Sequence, residues 1–367
     1  MPMSAVNIEG HCDPAFGRVK QAFQENFAKG KERGAGVSIV IEGRQVVNIW
    51  AGHSDFWKRR PWTGDTLANI YSATKGVTAV CAPVYHYWPG FEKKGKEYVT
   101  VRMLLNHTAW WRSSRGCRQR ACMNGTRWFA LLKTSHPGGV TELSVTGHII
   151  RKITGMTAGQ YLKNEITGPL GLDMHIGLNR SEHHRCASMI MLRAPTLHAD
   201  CIRFSTEMLL HPLGPTARAF TNPVSIVTGV NTPAWRSCEI PSANGQATAG
   251  ALAMLYGVLA NGGSSGNTHV LSSESIDRCC RETASGNDAV LKLPTRFSLG
   301  FMLNQDNRSG NMGPGVRTFG HPGAGGSLGF ADPDARLGFG YVMNKMDTFI
   351  LVDPRAGRLI AAVYECL

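Results

Sequence analysis

The chain has 367 residues, of which 43% are hydrophobic and 18% charged; this is enough apolar mass for one large core or two modest ones and excludes a disordered or fibrous protein. The net charge of +13 includes a dense run at Arg112, Arg115, Arg118, Arg120 and Arg127, yet no recognition-helix, zinc-finger or base-stacking pattern accompanies it, so nucleic acid is not the expected partner, while an attraction to anionic substrates is equally permitted. No apolar stretch is long enough to cross a bilayer, residues Met1 to Glu9 lack a basic start followed by an apolar run, and the ten cysteines contain no C-x-x-C pair, which together predict a cytoplasmic protein with reduced thiols and no membrane partner.

In chain order, Phe16, Val19, Phe23 and Phe27 recur at helical spacing and predict an amphipathic first helix ending near Gly30. Gly36–Ile41 and Gln45–Gly52, rich in valine and isoleucine and joined across Glu42-Gly43-Arg44, predict a β-hairpin. A second helix opens at Tyr71-Ser72-Ala73-Thr74-Lys75-Gly76. From about Val101 to Thr248 the periodicity is helical, with breaks at Pro137, Pro169 and Pro212. Strands return at Arg296–Leu303, Ser327–Ala331 and Leu337–Asn344, and Pro354–Cys366 closes the chain as a helix. There is no internal repeat. The expectation is one domain over 1–367, in which 1–80 and 249–367 form an α/β sandwich and 81–248 a helical insert.

The chemistry is concentrated at Ser72 and Lys75. On a helix, residues three apart are neighbours, so an amine kept neutral by burial takes the proton of the serine hydroxyl as it attacks a carbonyl. An S-x-x-K tetrapeptide by itself is a weak signal, with on the order of one chance match in a chain of this size. Gly325-Gly326-Ser327-Leu328-Gly329 also matches the G-x-S-x-G elbow of α/β-hydrolases. That reading is excluded, because the segment runs into a strand and no histidine follows Ser327. The pair His183-His184 has no further ligands at suitable spacing, and neither a metal nor another cofactor is expected.

With strands from both ends flanking a helical middle, the S-x-x-K at Ser72 resembles the serine β-lactamase and penicillin-binding-protein superfamily, and most closely the class C-like esterases (family VIII carboxylesterases) and β-lactamase-related proteins. Further similar stretches are Thr100 to Ala109, Gly168 to Asp173, Ile240-Pro241-Ser242-Ala243-Asn244-Gly245, and Phe319 to Gly329. The resemblance covers nearly the whole chain. It implies an antiparallel sheet flanked by terminal helices with a mostly helical inserted domain. It also implies a serine hydrolase, with ester cleavage (EC 3.1.1) ahead of amide or lactam cleavage (EC 3.5.2). Ser72 would be the nucleophile and Lys75 the base. His321-Pro322-Gly323 stands where the family has K-T-G or H-x-G: Gly323 would let a substrate carbonyl approach the strand, and the N–H of Ala324 would join that of Ser72 in an oxyanion hole. Asn244 would border the substrate, and His107 lies in a family motif more often structural than chemical.

The chain departs from this pattern in two places. Relatives place a tyrosine after a Pro-Gly turn in the helical region to shuttle protons with the lysine. Pro137 to Gly147 contains none, and the nearest tyrosines are Tyr98 and Tyr161. Cys81-Ala82-Pro83-Val84 joins segments that relatives separate by the rest of a helix and a turn. Both departures read as deletions. They keep open an alternative, a catalytically silent β-lactamase-like binding or scaffold protein.

Overall fold

The computed structural model describes residues 6–81, 145–191, 196–221, 228–305 and 310–367. The basic run from Arg112 to Arg127, the stretch Thr100 to Ala109 with His107, Tyr98, the segment after Cys81, and Pro137 to Gly139 all lie outside these residues.

In chain order the strands are β1 (Ile8–Cys12), β2 (Gly34–Ile41), β3 (Arg44–Gly52), β4 (Ala68–Asn69), β5 (Met174–His175), β6 (Gln246–Ala247), β7 (Ser264–Ser265), β8 (Thr268–His269), β9 (Ala284–Asn287), β10 (Pro294–Phe297), β11 (Met302–Leu303), β12 (Phe319–Pro322), β13 (Leu328–Asp332) and β14 (Leu337–Met343). Among the described residues the main sheet runs β1-β3-β2-β14-β13-β12-β11-β10-β9, and every neighbouring pair is antiparallel. A small sheet runs β4-β6-β5, and its strand β4 leads directly into the Ser72 helix.

The hairpin β2–β3 closes over Glu42 and Gly43, both at positive φ (50° and 80°), the two-residue turn whose twist matches that of the strands. The N-terminal helix Gly17–Ala28 buries Val19, Phe23 and Phe27, as its periodicity requires. Arg296–Leu303 is not one strand. Gly300, at φ 87°, turns the chain so that Phe297 of β10 pairs with Met302 of β11.

The sheet separates two apolar layers, and β14 shows how. Leu337, Phe339 and Tyr341 face the N-terminal helix and the C-terminal helix Pro354–Tyr364, with Phe339 stacked on Phe330 of β13 at 5.0 Å. Gly338 and Gly340 face the other way, where a Cβ would come within 2.2 Å of Gly257 N and 2.5 Å of Ala249 O. The alternation is one of large and absent side chains, and it lets the helix Ala249–Ala260 lie directly on the strands. That helix, AGALAMLYGVLA, is apolar all round and enclosed between the sheet and the Ser72 helix. It shows no amphipathic period, and sequence periodicity did not single it out.

Candidate active site

The site begins with backbone strain. Tyr71 adopts φ 43°, a conformation rare for a bulky side chain, and the next residue, Ser72, caps the helix Ala73–Val80. The first turn is tight: Ala73 N–H donates to Ile70 O, Thr74 N–H to Tyr71 O and Lys75 N–H to Ser72 O, at 3.1, 2.9 and 2.9 Å. Ser72 is thereby turned off the strand direction onto the helix face that carries Lys75.

Lys75 Nζ donates to Ser72 Oγ at 2.9 Å and to Ser242 O at 3.0 Å. The residue keeps some exposure along its length while its amine end is enclosed. Loss of hydration disfavours the ammonium and lowers its pKa to about 8. A neutral amine within hydrogen-bonding distance of a serine hydroxyl is a competent general base near neutral pH.

The segment Ile240 to Gly245 wraps this helix. Pro241 O accepts from Thr78 Oγ1 at 2.6 Å, Gly245 N–H donates to Thr74 Oγ1 at 2.9 Å, and Gly245 O accepts from Ile70 N–H at 2.9 Å. The sequence marks Ser242 only as part of the similar stretch Ile240 to Gly245; the fold makes its carbonyl the second anchor of Lys75. Asn244 does not border a cleft. It is fully buried, its Oδ1 accepts from Ile240 N–H at 2.8 Å, and its Nδ2 donates to Trp235 O and Cys238 O at 2.8 and 2.5 Å. Its amide is spent on shaping the loop that holds Lys75.

Opposite Ser72 lies the hairpin β12–β13. His321 on β12 is buried, its Nδ1–H donating to Pro322 O at 2.7 Å, and its Cβ lies 3.3 Å from the place a Cβ on Gly76 would take. Gly323 is a glycine for a reason within the protein: a Cβ there would lie 2.1 Å from Ser327 Oγ and 2.2 Å from Ile70 O, so the place a side chain would take is filled. Ser327 Oγ donates to Ile70 O at 2.9 Å and Ser327 O accepts from Gly323 N–H at 2.7 Å. The missing side chain lets the hairpin close onto Ile70, two residues before Ser72. Ser327 is thus a turn residue that fastens the two halves of the site, in keeping with the exclusion of an elbow nucleophile there. Among the described residues, the N–H groups of Ser72 and Ala324 donate to no protein acceptor.

Of the described tyrosines, none brings its hydroxyl within hydrogen-bonding reach of Ser72 Oγ or Lys75 Nζ. Tyr341 donates to Glu32, Tyr364 to Asp332, Tyr161 lies near Cys81 at the far end of the Ser72 helix, and the buried hydroxyls of Tyr71 and Tyr256 have no partner among the described residues. Nor do the described residues contain a group of three or more His, Cys, Asp or Glu placed to hold a metal ion, or a helix long and apolar enough to cross a membrane; their cysteines are all unpaired.

An antiparallel sheet faced by terminal helices on one side and by a buried helix on the other, with an S-x-x-K at the start of the adjoining helix, defines the β-lactamase-like fold. The chain belongs to the Beta-lactamase family, whose model matches residues 19–362. It is 30% identical to the esterase/beta-lactamase LipL of Mycobacterium tuberculosis strain ATCC 25618 / H37Rv, over 97% of this chain and 87% of that protein. Among solved structures, a penicillin-binding protein homologue from Caulobacter crescentus superposes with a TM-score of 0.80 at 33% identity, covering 98% of this chain and all of that one. A family VIII carboxylesterase superposes with a TM-score of 0.77 at 37% identity, with the same 98% and full coverage.

Proposed function

We propose that the protein is a serine hydrolase that cleaves small carboxylic esters through an acyl-enzyme on Ser72. One observation carries this reading: a lysine amine with its pKa lowered to about 8 hydrogen-bonded to the Ser72 hydroxyl at 2.9 Å. In the first half-reaction neutral Lys75 takes the Ser72 proton as Oγ attacks the ester carbonyl; the carbon–oxygen bond to the alcohol then breaks, the departing oxygen gains a proton from the Lys75 ammonium or from water, and the alcohol leaves with Lys75 neutral again. In the second, water attacks the acyl-serine, Lys75 takes its proton and passes it to Ser72 Oγ as the acyl–oxygen bond breaks, returning free Ser72 and the carboxylic acid. The N–H groups of Ser72 and Ala324 are the donors assigned to the developing oxyanion. Names of relatives that include esterase and carboxylesterase support the ester class. No metal or cofactor is assigned.

The leaving group is the sensitive point, since no described tyrosine hydroxyl is in place to protonate it. Alkyl esters, amides and β-lactams need that proton, whereas aryl esters depart without it. Loss of such general-acid help slows the reaction by a factor on the order of 10²–10⁴. The expected result is that a p-nitrophenyl ester acylates Ser72 readily while the ethyl ester of the same acid turns over barely.

The test is intact mass and peptide mapping after incubation with a fluorophosphonate and with the p-nitrophenyl ester. Adduct on Ser72 alone is expected. Label on Ser327 would overturn the assignment of the site, absence of any adduct would favour a silent binding protein, and equal rates for aryl and ethyl esters would show that another residue supplies the proton.

A further inference from the structure

A cluster of buried charge sits behind the β12–β13 turn, and the chemistry above makes no direct use of it. Arg355, on the first turn of the C-terminal helix, is 2% exposed. Its Nε donates to Asp353 Oδ1 at 3.0 Å and its Nη2 to Asp353 Oδ2 at 2.7 Å. Its Nη1 donates to Glu32 Oε2 at 3.1 Å, Lys345 O at 2.7 Å and Lys31 O at 3.3 Å. The remaining donor is the important one: Nη2 also reaches Gly325 O at 2.7 Å.

Gly325 follows Ala324 directly. The turn that presents the Ala324 N–H contains Gly325 and Gly326, at φ 90° and 127°, conformations that side chains rarely adopt. Two glycines supply no stiffness of their own, and the packing around them leaves no room for any side chain. A Cβ on Gly325 would lie 2.7 Å from Met346 Cγ, and one on Gly326 would lie 2.7 Å from Arg355 Nη2 and 2.9 Å from Asp353 Oδ2. The turn closes through Gly323 N–H to Ser327 O at 2.7 Å and Gly326 N–H to Gly323 O at 3.1 Å, but neither bond holds the Gly325 carbonyl. Two outside donors fix it by meeting on Gly325 O: Arg355 Nη2 and the Asp347 N–H, the latter at 3.0 Å.

A buried ion cluster is poor evidence for stability, because the desolvation of its charges offsets most of their attraction. What a guanidinium offers is a planar fork that meets several acceptors in fixed directions. We propose that Arg355 is a positioning residue for the oxyanion donor, holding the Gly325 carbonyl, and through it the peptide of Ala324, at the geometry required when charge develops on the substrate oxygen. This rests on the reading of Ser72 and Ala324 given above. Arg355 touches no reacting atom. It acts on the transition state by keeping a two-glycine turn from relaxing.

The experiment compares wild type, Arg355→Lys, Asp353→Asn and Val363→Ala. The lysine keeps the charge but cannot span Gly325 O, Asp353 and Glu32 together. The asparagine sets an NH₂ group or a weaker acceptor against Nη2 while keeping the shape. Val363, buried further along the same helix, reports stability loss without touching the cluster. For a p-nitrophenyl ester, Arg355→Lys is expected to lower kcat about tenfold or more with KM little changed, with a parallel loss of affinity for a trifluoromethyl ketone that mimics the tetrahedral intermediate. Asp353→Asn should lose kcat in the same manner and decides the matter if the lysine variant does not fold. Val363→Ala should lower Tm and leave kcat alone. Wild-type kcat in folded Asp353→Asn, or kcat losses in all three variants that simply follow Tm, would overturn the proposal. Failure of wild type itself to be acylated at Ser72 would instead overturn the underlying assignment of the site.

Discussion

At the scale of single residues, the balance of forces on Lys75 makes a prediction in two directions. Burial lowers its pKa to about 8 in the folded protein, whereas in the unfolded chain the amine titrates at about 10.4. Catalysis needs the neutral amine, so kcat/KM should rise with pH through about 8 and then level, and Lys75→Ala should abolish turnover while the protein stays folded. Stability has its own pH dependence. Between about 10 and 8 the unfolded chain takes up a proton that the folded chain refuses, so stability falls as pH drops through this window, and the deficit is complete below it, on the order of 3 kcal/mol. Lys75→Met removes the deficit at the expense of about 1 kcal/mol for leaving Ser242 O without its donor. The variant should therefore gain on wild type as pH falls from 10 to 7. Parallel stability curves over that range, from denaturant titrations, would mean that the amine is solvated and that the chemistry assigned to it is wrong.

At the scale of elements, the Ser72 helix is seated by close approach. A Cβ on Gly76 would lie 2.2 Å from Tyr256 Oη, and that hydroxyl, fully buried, has no partner among the described residues. Removing an unpartnered buried hydroxyl relieves its desolvation, so Tyr256→Phe should be neutral or stabilising by up to about 1–3 kcal/mol. Gly76→Ala should destabilise by about 1–3 kcal/mol through overpacking, and Tyr256→Phe should recover part of that loss in the double variant. Additive effects in the thermal unfolding of the four proteins would refute the contact. The same helix shows what the sequence made legible. Ser72 and Lys75 were readable because the i, i+3 rule is local, and the hairpin β2–β3 because valine-rich runs flank a Glu-Gly turn. The seat was not readable. Gly76, Gly323 and Gly329 are glycines because of atoms distant in sequence, respectively Tyr256 Oη, Ile70 O and Tyr256 Cε2. The contact that Gly323 makes possible with Ile70 was therefore not readable, nor was the burial of Asn244, whose amide is spent on contacts within the protein. The strand expected over Arg296–Leu303 failed for a local reason, a turn at Gly300 inside an otherwise apolar run.

At the scale of the whole molecule, the two ends of the chain meet in the main sheet. β2, near the N-terminus, pairs with β14, near the C-terminus, and Asn26 of the first helix accepts from Arg358 of the last at 2.6 and 2.9 Å. The hairpin that carries Ala324 is thus fixed by elements from both termini. The chain also carries a net charge of +13. Such a field does not choose a fold, but it raises the local concentration of anions and speeds their arrival, and salt screens it over about 8 Å at physiological ionic strength. An ester whose acyl group bears a carboxylate should therefore be favoured at low salt. Between about 0.05 and 0.5 M salt its kcat/KM should fall by roughly severalfold, while that of an uncharged p-nitrophenyl ester of equal length stays level. Because the leaving group is the same in both, acylation chemistry cancels in the ratio and only attraction remains. An equal response of the two esters would show that the basic residues face away from the approach to Ser72, and that the charge serves contacts other than substrate capture.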